Sequence, residues 1–174
     1  DTMLEIKNAK LRKLEEQDLL QVLEWRNHED IRKWMVNTSQ ITYEDHKLWF
    51  ERNKNRVDRF FCIFEYNEQA QGYISFQIIE NSSAYEWGFY IKPNAEKGMG
   101  QLLGQAAIQY AFDVLDIQKI FGQVLAFNEK SIIFHQRLGF QQEGLLRQQF
   151  KDSRGEFDIF QFGLLKSEWL ERSR

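Results

Sequence analysis

A chain of 174 residues, 43% hydrophobic and 28% charged, suits one globular domain with a real core. Its net charge of −3, with no long basic run, speaks against nucleic acid as a partner. The lone cysteine, Cys62, excludes an internal disulfide, and no apolar stretch is long enough to cross a membrane.

No signal peptide precedes the fold, so a cytoplasmic protein is expected. Asp1–Thr2, ahead of Met3, read as a cloning remnant, and 3–172 as a single domain. Residues 4–14 are strand-like with imperfect alternation. Residues 16–25, with Leu19, Leu20, Val22 and Leu23, predict a helix. Trp25–Arg26–Asn27–His28–Glu29–Asp30 follows, then a short helical piece, Ile31–Met35. Thr42-Tyr-Glu-Asp45 resembles a capping box with Asp in place of Glu. A helix should run from it through Leu48, Trp49 and Phe50 to about Asn53. Phe60–Tyr66 and Tyr73–Glu80 predict strands, with Asn67–Gly72 the turn between them. Cys62 lies in the first of these, as a buried strand thiol rather than a nucleophile.

A strand over 84–91, rich in aromatics, ends before Pro93, which has no N–H to donate to a ladder. Next come the loop Asn94–Gly100 and a helix over 99–115, striped by Leu102, Leu103, Ala106, Ala107, Tyr110, Ala111, Val114 and Leu115. Lys119–Ala126 predicts a strand, and Asn128–Leu138 a helix stopped by Gly139. Phe140–Gln149 and Phe157–Lys166 predict two last strands, joined by the polar turn Lys151–Glu156. Hairpins mixed with crossovers imply an α/β fold: a central mixed, twisted sheet of about seven strands with helices on both faces.

The first turns of the 99–115 helix hold no carboxylate; its first acid is Asp113. Helix N-termini ordinarily attract Asp and Glu, through the macrodipole and the unpaired N–H groups. An acid-free start with glycines before it suits an external anion, most simply a phosphate. The other reading is a βα turn whose glycines only shape the corner.

With the order of elements, these residues resemble the GNAT superfamily of acetyl-CoA-dependent N-acetyltransferases over nearly the whole chain. The resemblance implies acetyl-CoA as co-substrate and no metal. Strand 86–91, with Phe89 and Ile91, would pair with the pantetheine arm. Lys97, Gly98, Met99, Gly100, Gln101 and Leu102 would hold the pyrophosphate. The family loop reads Arg/Gln-x-x-Gly-x-Gly/Ala. Here it is Ala95-Glu-Lys-Gly98-Met-Gly100, so the first side chain is lost and Lys97 offers charge instead. A second match is Asn128-Glu-Lys-Ser131…His135-Gln-Arg-Leu-Gly139-Phe140, in which Asn128 and Ser131 would serve the cofactor. The family tyrosine is His135 here.

Two branches are similar in detail. Glu143–Gly144…Arg147…Gly155…Asp158…Trp169 resembles ribosomal-protein N-terminal acetyltransferases. Trp25–Arg26–Asn27–His28, Ile31–Met35 and Ile41–Thr42…His46…Trp49–Phe50 are similar to the acetyltransferases of the pseudaminic-acid pathway. Those acetylate the 4-amino group of a UDP-linked 4-amino-4,6-dideoxy-N-acetyl-altrosamine. The partner expected is thus a small-molecule UDP-amino sugar, with neither nucleic acid nor membrane, and with room for a homodimer. The alternatives are an N-terminal acetyltransferase and a non-catalytic acetyl-CoA-binding module.

Acetyl transfer needs a neutral amine and a proton for the leaving thiolate. Glu86, Gly88 and Tyr90 alternate onto one strand face, so Glu86 could take the amine proton, directly or through water, and Tyr90 could position substrate. The competing readings are a solvent-facing glutamate and a core tyrosine. Arg26, with its bidentate donors, suits a diphosphate; otherwise it makes an ordinary helix-end salt bridge. His46 matches a substrate-facing position. Trp25, Trp34 and Trp49 could stack on uracil or belong to the core. His28 reads as structural or as a local cap. His135 is expected to act as an imidazolium general acid toward the thiolate, against the alternative of a neutral packing residue.

Overall fold

The computed structural model describes residues 3–172, so Asp1–Thr2 lie outside the described residues. The described residues divide into two compact units: those up to 77 with 88–110, and 78–87 with those from 111 on.

In the first unit, β1 (Ala9–Lys13) pairs antiparallel with β2 (Arg59–Tyr66), from Ala9 opposite Tyr66 to Lys13 opposite Cys62. β2 pairs antiparallel with β3 (Gln69–Ile78), with a register shift at Phe64/Glu65. The turn between them is only Asn67–Glu68, shorter than the expected Asn67–Gly72. Both residues have positive φ, 49° and 67°. Such a turn matches the twist of the flanking strands, so pairing begins at once. Residues 4–8 are not strand: Ile6–Asn8 form a 3-10 turn closed by Asn8 N–H donating to the Glu5 carbonyl at 3.1 Å.

Helices α1 (Leu19–Asn27), α2 (Glu29–Arg32) and α3 (Tyr43–Asn53) also belong to this unit. His28 is the N-cap of α2, its Nδ1 accepting from Asp30 N–H at 3.1 Å. Thr42 caps α3, its hydroxyl accepting from Asp45 N–H at 3.1 Å, as the sequence pattern predicts. Leu14, Leu19, Val22, Trp25, Phe50, Phe61 and Ile63 form the buried core, with Trp49, Tyr73 and Tyr90 packed against it. Cys62 is buried, which pushes its thiol up to about 12; a thiol held protonated is no nucleophile.

β4 (Ala84–Ile91) has the expected bounds, and α4 (Met99–Asp113) follows the glycine loop. The second unit holds β5 (Lys119–Leu125), α5 (Glu129–Arg137), β6 (Gln141–Asp152), β7 (Gly155–Leu165) and α6 (Lys166–Arg172). β4 and β5 pair in parallel, from Ala84 opposite Lys119 to Glu86 opposite Phe121. β7 pairs antiparallel with both β5 and β6. The strands make one mixed seven-stranded sheet in the order β1-β2-β3-β4-β5-β7-β6. Helix α6 is not foreseen in the sequence. It starts because the Glu168 carboxylate turns back to accept from Leu165 N–H at 2.9 Å, and its residues bear no apolar stripe to announce it.

One ion cluster ties β1 to β2 and to the turn before α1. Arg12 forks onto both Asp18 oxygens at 2.7 and 2.8 Å and donates from Nε to Glu65 at 2.7 Å. Both acids are buried. Burial pushes the Asp18 carboxyl up, but Arg12 and the Glu15 N–H outweigh it and hold it below the ordinary carboxylate range. Arg12→Ala removes the guanidinium from both buried carboxylates, leaving Glu65 to Lys10 at 3.5 Å and Asp18 to the Glu15 N–H at 2.8 Å, and is expected to cost about 3 kcal/mol of stability, read as a lowered thermal midpoint. Because the folded Asp18 pKa is depressed, this contribution is present above the ordinary value, about 3.9, and is lost as pH falls through the folded one. The gap between wild type and variant should therefore close in acid.

Candidate active site

In the first unit α4 opens on Gly98, at φ 91°, a conformation that favours glycine. The first helical bond runs from Leu102 N–H to the Gly98 carbonyl at 3.1 Å, so the N–H groups of Gly100 and Gln101 precede it. No acid lies in the first turn of this 15-residue helix. A Cβ on Gly100 would meet nothing within 4 Å, so the backbone is open to approach there. Lys97 and Gly98 are exposed, while Met99 and Leu102 are buried. Those two therefore offer only backbone to a ligand, which narrows the expected side-chain set to Lys97 and Gln101. Phe89 and Ile91 are half-buried on β4.

The other expected residues of this unit gather on the aromatic cluster. His46 stacks on Trp49, with centroids 5.4 Å apart and planes at 8°, and Trp49 meets Phe61 edge-on at 4.9 Å. Trp25 is only 6% exposed and packs in the core, which corrects the expectation that it stacks on a base. Tyr90 stacks on Tyr73 at 5.1 Å. Burial pushes the Tyr90 hydroxyl well up; Tyr73 adds to this and Arg26 opposes it. Arg26 makes no helix-end salt bridge among the described residues. Its Nη2 donates to the Asn37 carbonyl at 2.6 Å, and its Nη1 is buried without a hydrogen-bond partner. His46 Nε2 is likewise buried and unpartnered, and burial lowers the pKa of its ring. A neutral His46 and a half-satisfied Arg26 are what a polar ligand would complete. Tyr73 joins this cluster without having been singled out in the sequence; its alternation with Ser75 on β3 is the signal that could have found it.

In the second unit Glu86 is half-buried and accepts from Gln123 Nε2 at 3.4 Å. Asn128 is the N-cap of α5, its Oδ1 accepting from Ser131 N–H at 3.3 Å. His135 is 2% exposed. Its Nε2 faces the Trp87 Nε1 at 3.1 Å and its Nδ1 the Ser131 carbonyl at 2.8 Å. An indole N–H can only donate and a carbonyl can only accept. The ring is therefore the neutral tautomer with its proton on Nδ1, given to Ser131. Burial lowers its pKa to about 4, against the opposing pull of the Ser131 carbonyl. At neutral pH this site holds no imidazolium, which corrects the expected general acid. A Cβ on Gly122 would come within 2.7 Å of His135 Nε2 and 2.9 Å of Trp87 Nε1, so the contact needs a glycine there.

Among the described residues, no group of three or more His, Cys, Asp and Glu side chains is placed to hold a metal ion, and no helix is long and apolar enough to cross a membrane. Residues 9–141 match the family described as Acetyltransferase (GNAT) domain. The chain belongs to that family. It is an acetyl-CoA-dependent N-acetyltransferase, and its sheet and helices are the GNAT fold. A curated relative, acetyltransferase PseH of Campylobacter jejuni (strain 81-176), is 33% identical over 136 residues, covering 78% of this chain and 83% of the relative. The spermidine N(1)-acetyltransferase of Vibrio cholerae serotype O1 is 24% identical over 168 residues, covering 94% of this chain and 96% of its own. The crystal structure of spermidine N-acetyltransferase from Vibrio cholerae with CoA and spermine superposes with a TM-score of 0.86 at 22% identity, covering 94% of this chain and 99% of that one.

The buried, neutral His135 makes a kinetic prediction. Wild-type kcat should show no limb belonging to His135 between about pH 5.5 and 9, since its pKa is lowered to about 4. His135→Phe removes the acceptor that Trp87 Nε1 has and should cost about 2 kcal/mol of stability. The shape of the kcat–pH profile should stay the same. A limb that disappears with His135 would restore the acid role.

Proposed function

We propose that this GNAT enzyme moves the acetyl group of acetyl-CoA to the 4-amino group of a UDP-linked amino-deoxy sugar of the pseudaminic-acid type. The observation that carries the reading is Arg26: a guanidinium beside Tyr90, bonded to a carbonyl rather than a carboxylate, with Nη1 buried and unpartnered. Planar paired donors suit phosphate oxygens. The identity to acetyltransferase PseH supports the same substrate class.

Acetyl-CoA supplies a thioester carbonyl. The residues of this chain bind and orient. The N–H groups at the start of α4, with Lys97, receive the pyrophosphate; Phe89 and Ile91 on β4 pair with the pantetheine arm; Asn128 and Ser131 contribute from the head of α5. An amine flanked by sugar oxygens titrates like an α-amino group, about 7.7–8.0, so little base strength is needed. Glu86, oriented by Gln123, takes the proton that the amine loses as the C–N bond forms and the C–S bond breaks. The thiolate, whose parent thiol resembles cysteine at about 8.5, takes its proton from solvent rather than from His135. The acetyl group passes directly, with no acyl-enzyme, and most of the rate comes from positioning. Tyr90 and His46 line the acceptor side, with Trp49 backing His46. Cytoplasmic residence and a homodimer belong to this proposal.

The decisive experiment follows thiol release from acetyl-CoA with a UDP-4-amino sugar, with N-terminal peptides and with spermidine. The expected result is release with the nucleotide sugar; release only with peptide or polyamine would overturn the reading. Two variants divide the site. Gly100→Glu places a like charge where phosphate must approach, at a position with room for a side chain. Acetyl-CoA affinity by calorimetry should fall at least tenfold, about 1.4 kcal/mol, in a protein that still folds. Arg26→Lys should raise KM for the UDP-sugar and leave KM for acetyl-CoA near wild type, because only the fork is lost.

A further inference from the structure

Arg59 opens β2, and nothing in the sequence marks it. The pairing of β2 with β3 sets Arg59 opposite Gln77, Phe61 opposite Ser75 and Ile63 opposite Tyr73. Directly opposed strand residues share a face. Arg59 therefore stands on the face that carries Tyr73, the partner of Tyr90. Its guanidinium lies 5.1 Å from the centroid of Phe61, the ring against which Trp49 is set. Its Nε is buried and has no hydrogen-bond partner. The neighbouring Asp58 feels its charge, but both Asp58 oxygens are hydrogen-bonded to Arg56, at 2.9 and 2.8 Å, rather than to Arg59. A cavity of about 480 Å³ reaches Arg59 past Lys13, Lys54 and Phe50, and no acidic residue among the described residues lines it.

Arg59 and Arg26 thus share one feature. Each is a guanidinium at the aromatic cluster with a buried N–H left over and no carboxylate hydrogen-bonded to it. A buried unpaired donor costs free energy and persists where something else supplies the acceptor. An arginine over an aromatic ring keeps its edge free for such an acceptor. The burial that raises the Tyr73 hydroxyl is opposed by Arg59, so the cation is felt at the Tyr73–Tyr90 stack.

We propose that Arg59 is a second anion-positioning residue of the acceptor site, acting with Arg26 to select an acceptor that carries a diphosphate and to refuse polycations. This inference rests on the UDP-sugar reading. Two guanidinium groups without a hydrogen-bonded carboxylate repel a polyamine as they draw a diphosphate, and specificity of this kind works through the rejected substrate as much as the accepted one.

The test measures binding of UDP and of uridine to the full chain with CoA present, by calorimetry, beside kinetics with the UDP-4-amino sugar. Arg59→Gln should weaken UDP roughly tenfold to a hundredfold, the range for a hydrogen bond to a charged group, and raise KM for the UDP-sugar in step. Uridine, which has no phosphate, and acetyl-CoA should bind as to wild type. Arg59→Lys keeps the charge and the stem over Phe61. It should hold the wild-type thermal midpoint and still lose several-fold in UDP affinity. A wild type that acetylates the UDP-sugar, with UDP affinity unchanged in Arg59→Gln, would overturn the role of Arg59 and leave the substrate reading standing. The role of Arg59 is equally overturned if Arg59→Gln unfolds and Arg59→Lys binds UDP as tightly as wild type. A wild type that neither binds UDP nor acetylates the UDP-sugar would overturn the substrate reading, and this inference with it.

Discussion

The imidazole of His135 is gripped at both nitrogens, and the second unit is arranged so that it can be. Its ring lies between an indole N–H that only donates and a carbonyl that only accepts. One tautomer satisfies both partners, and a proton added to Nε2 would face the Trp87 N–H. Around that ring the strands and helix have little freedom. Gly122 on β5 must lack a side chain, and Phe162 on β7 stacks on the imidazole at 5.1 Å. Phe140 packs against both His135 and Trp87. The Asn128 cap sets where α5 begins, and so which carbonyl His135 meets one turn later. A site that in the wider family carries a tyrosine hydroxyl is here a buried connection from β4 to α5.

The first unit shows the opposite treatment of charge. Arg12, Asp18 and Glu65 form a closed set in which the buried carboxylates are hydrogen-bonded and the guanidinium is used from both sides. Such a set fixes geometry, and losing one member is costly because the others stay behind. Arg26, His46 and Arg59 each keep a buried nitrogen that no group among the described residues completes. Native interiors seldom leave such atoms unsatisfied. The contrast divides the unit into a frame, whose polar groups are matched internally, and a face whose polar groups are not.

What the sequence made legible was local. The bounds of β4, the start of α4 and the cap at Thr42 come from periodicity and from short-range hydrogen bonds, which neighbouring residues determine by themselves. The glycine loop could be placed for the same reason. The state of His135 could not, because its partner Trp87 is 48 residues away and decides the tautomer. The tryptophans illustrate the same limit: helical spacing could not say that Trp25 is core while Trp49 carries a histidine on its face. Arg59 needed the β2–β3 register, and register is a tertiary fact. Helix α6 depended on one glutamate folding back to a strand-end N–H.

These limits bear on how far family membership reaches. The fold provides a glycine-led helix start with no acid in its first turn, and on the proposed reading that start would take the pyrophosphate. Under the proposed function, acceptor choice would lie on the strand faces and on the helices α1 and α3. In this chain that surface offers arginine donors over aromatic rings, beside a histidine that burial keeps neutral. A cationic acceptor would meet like charge there and find no carboxylate among Arg26, His46 and Arg59 to offset it. An acceptor with a phosphate oxygen would complete the unsatisfied donors and relieve the cost of burying them. Under the proposed function, the unmatched polar groups of the first unit would discriminate between substrates that the fold, taken alone, treats alike.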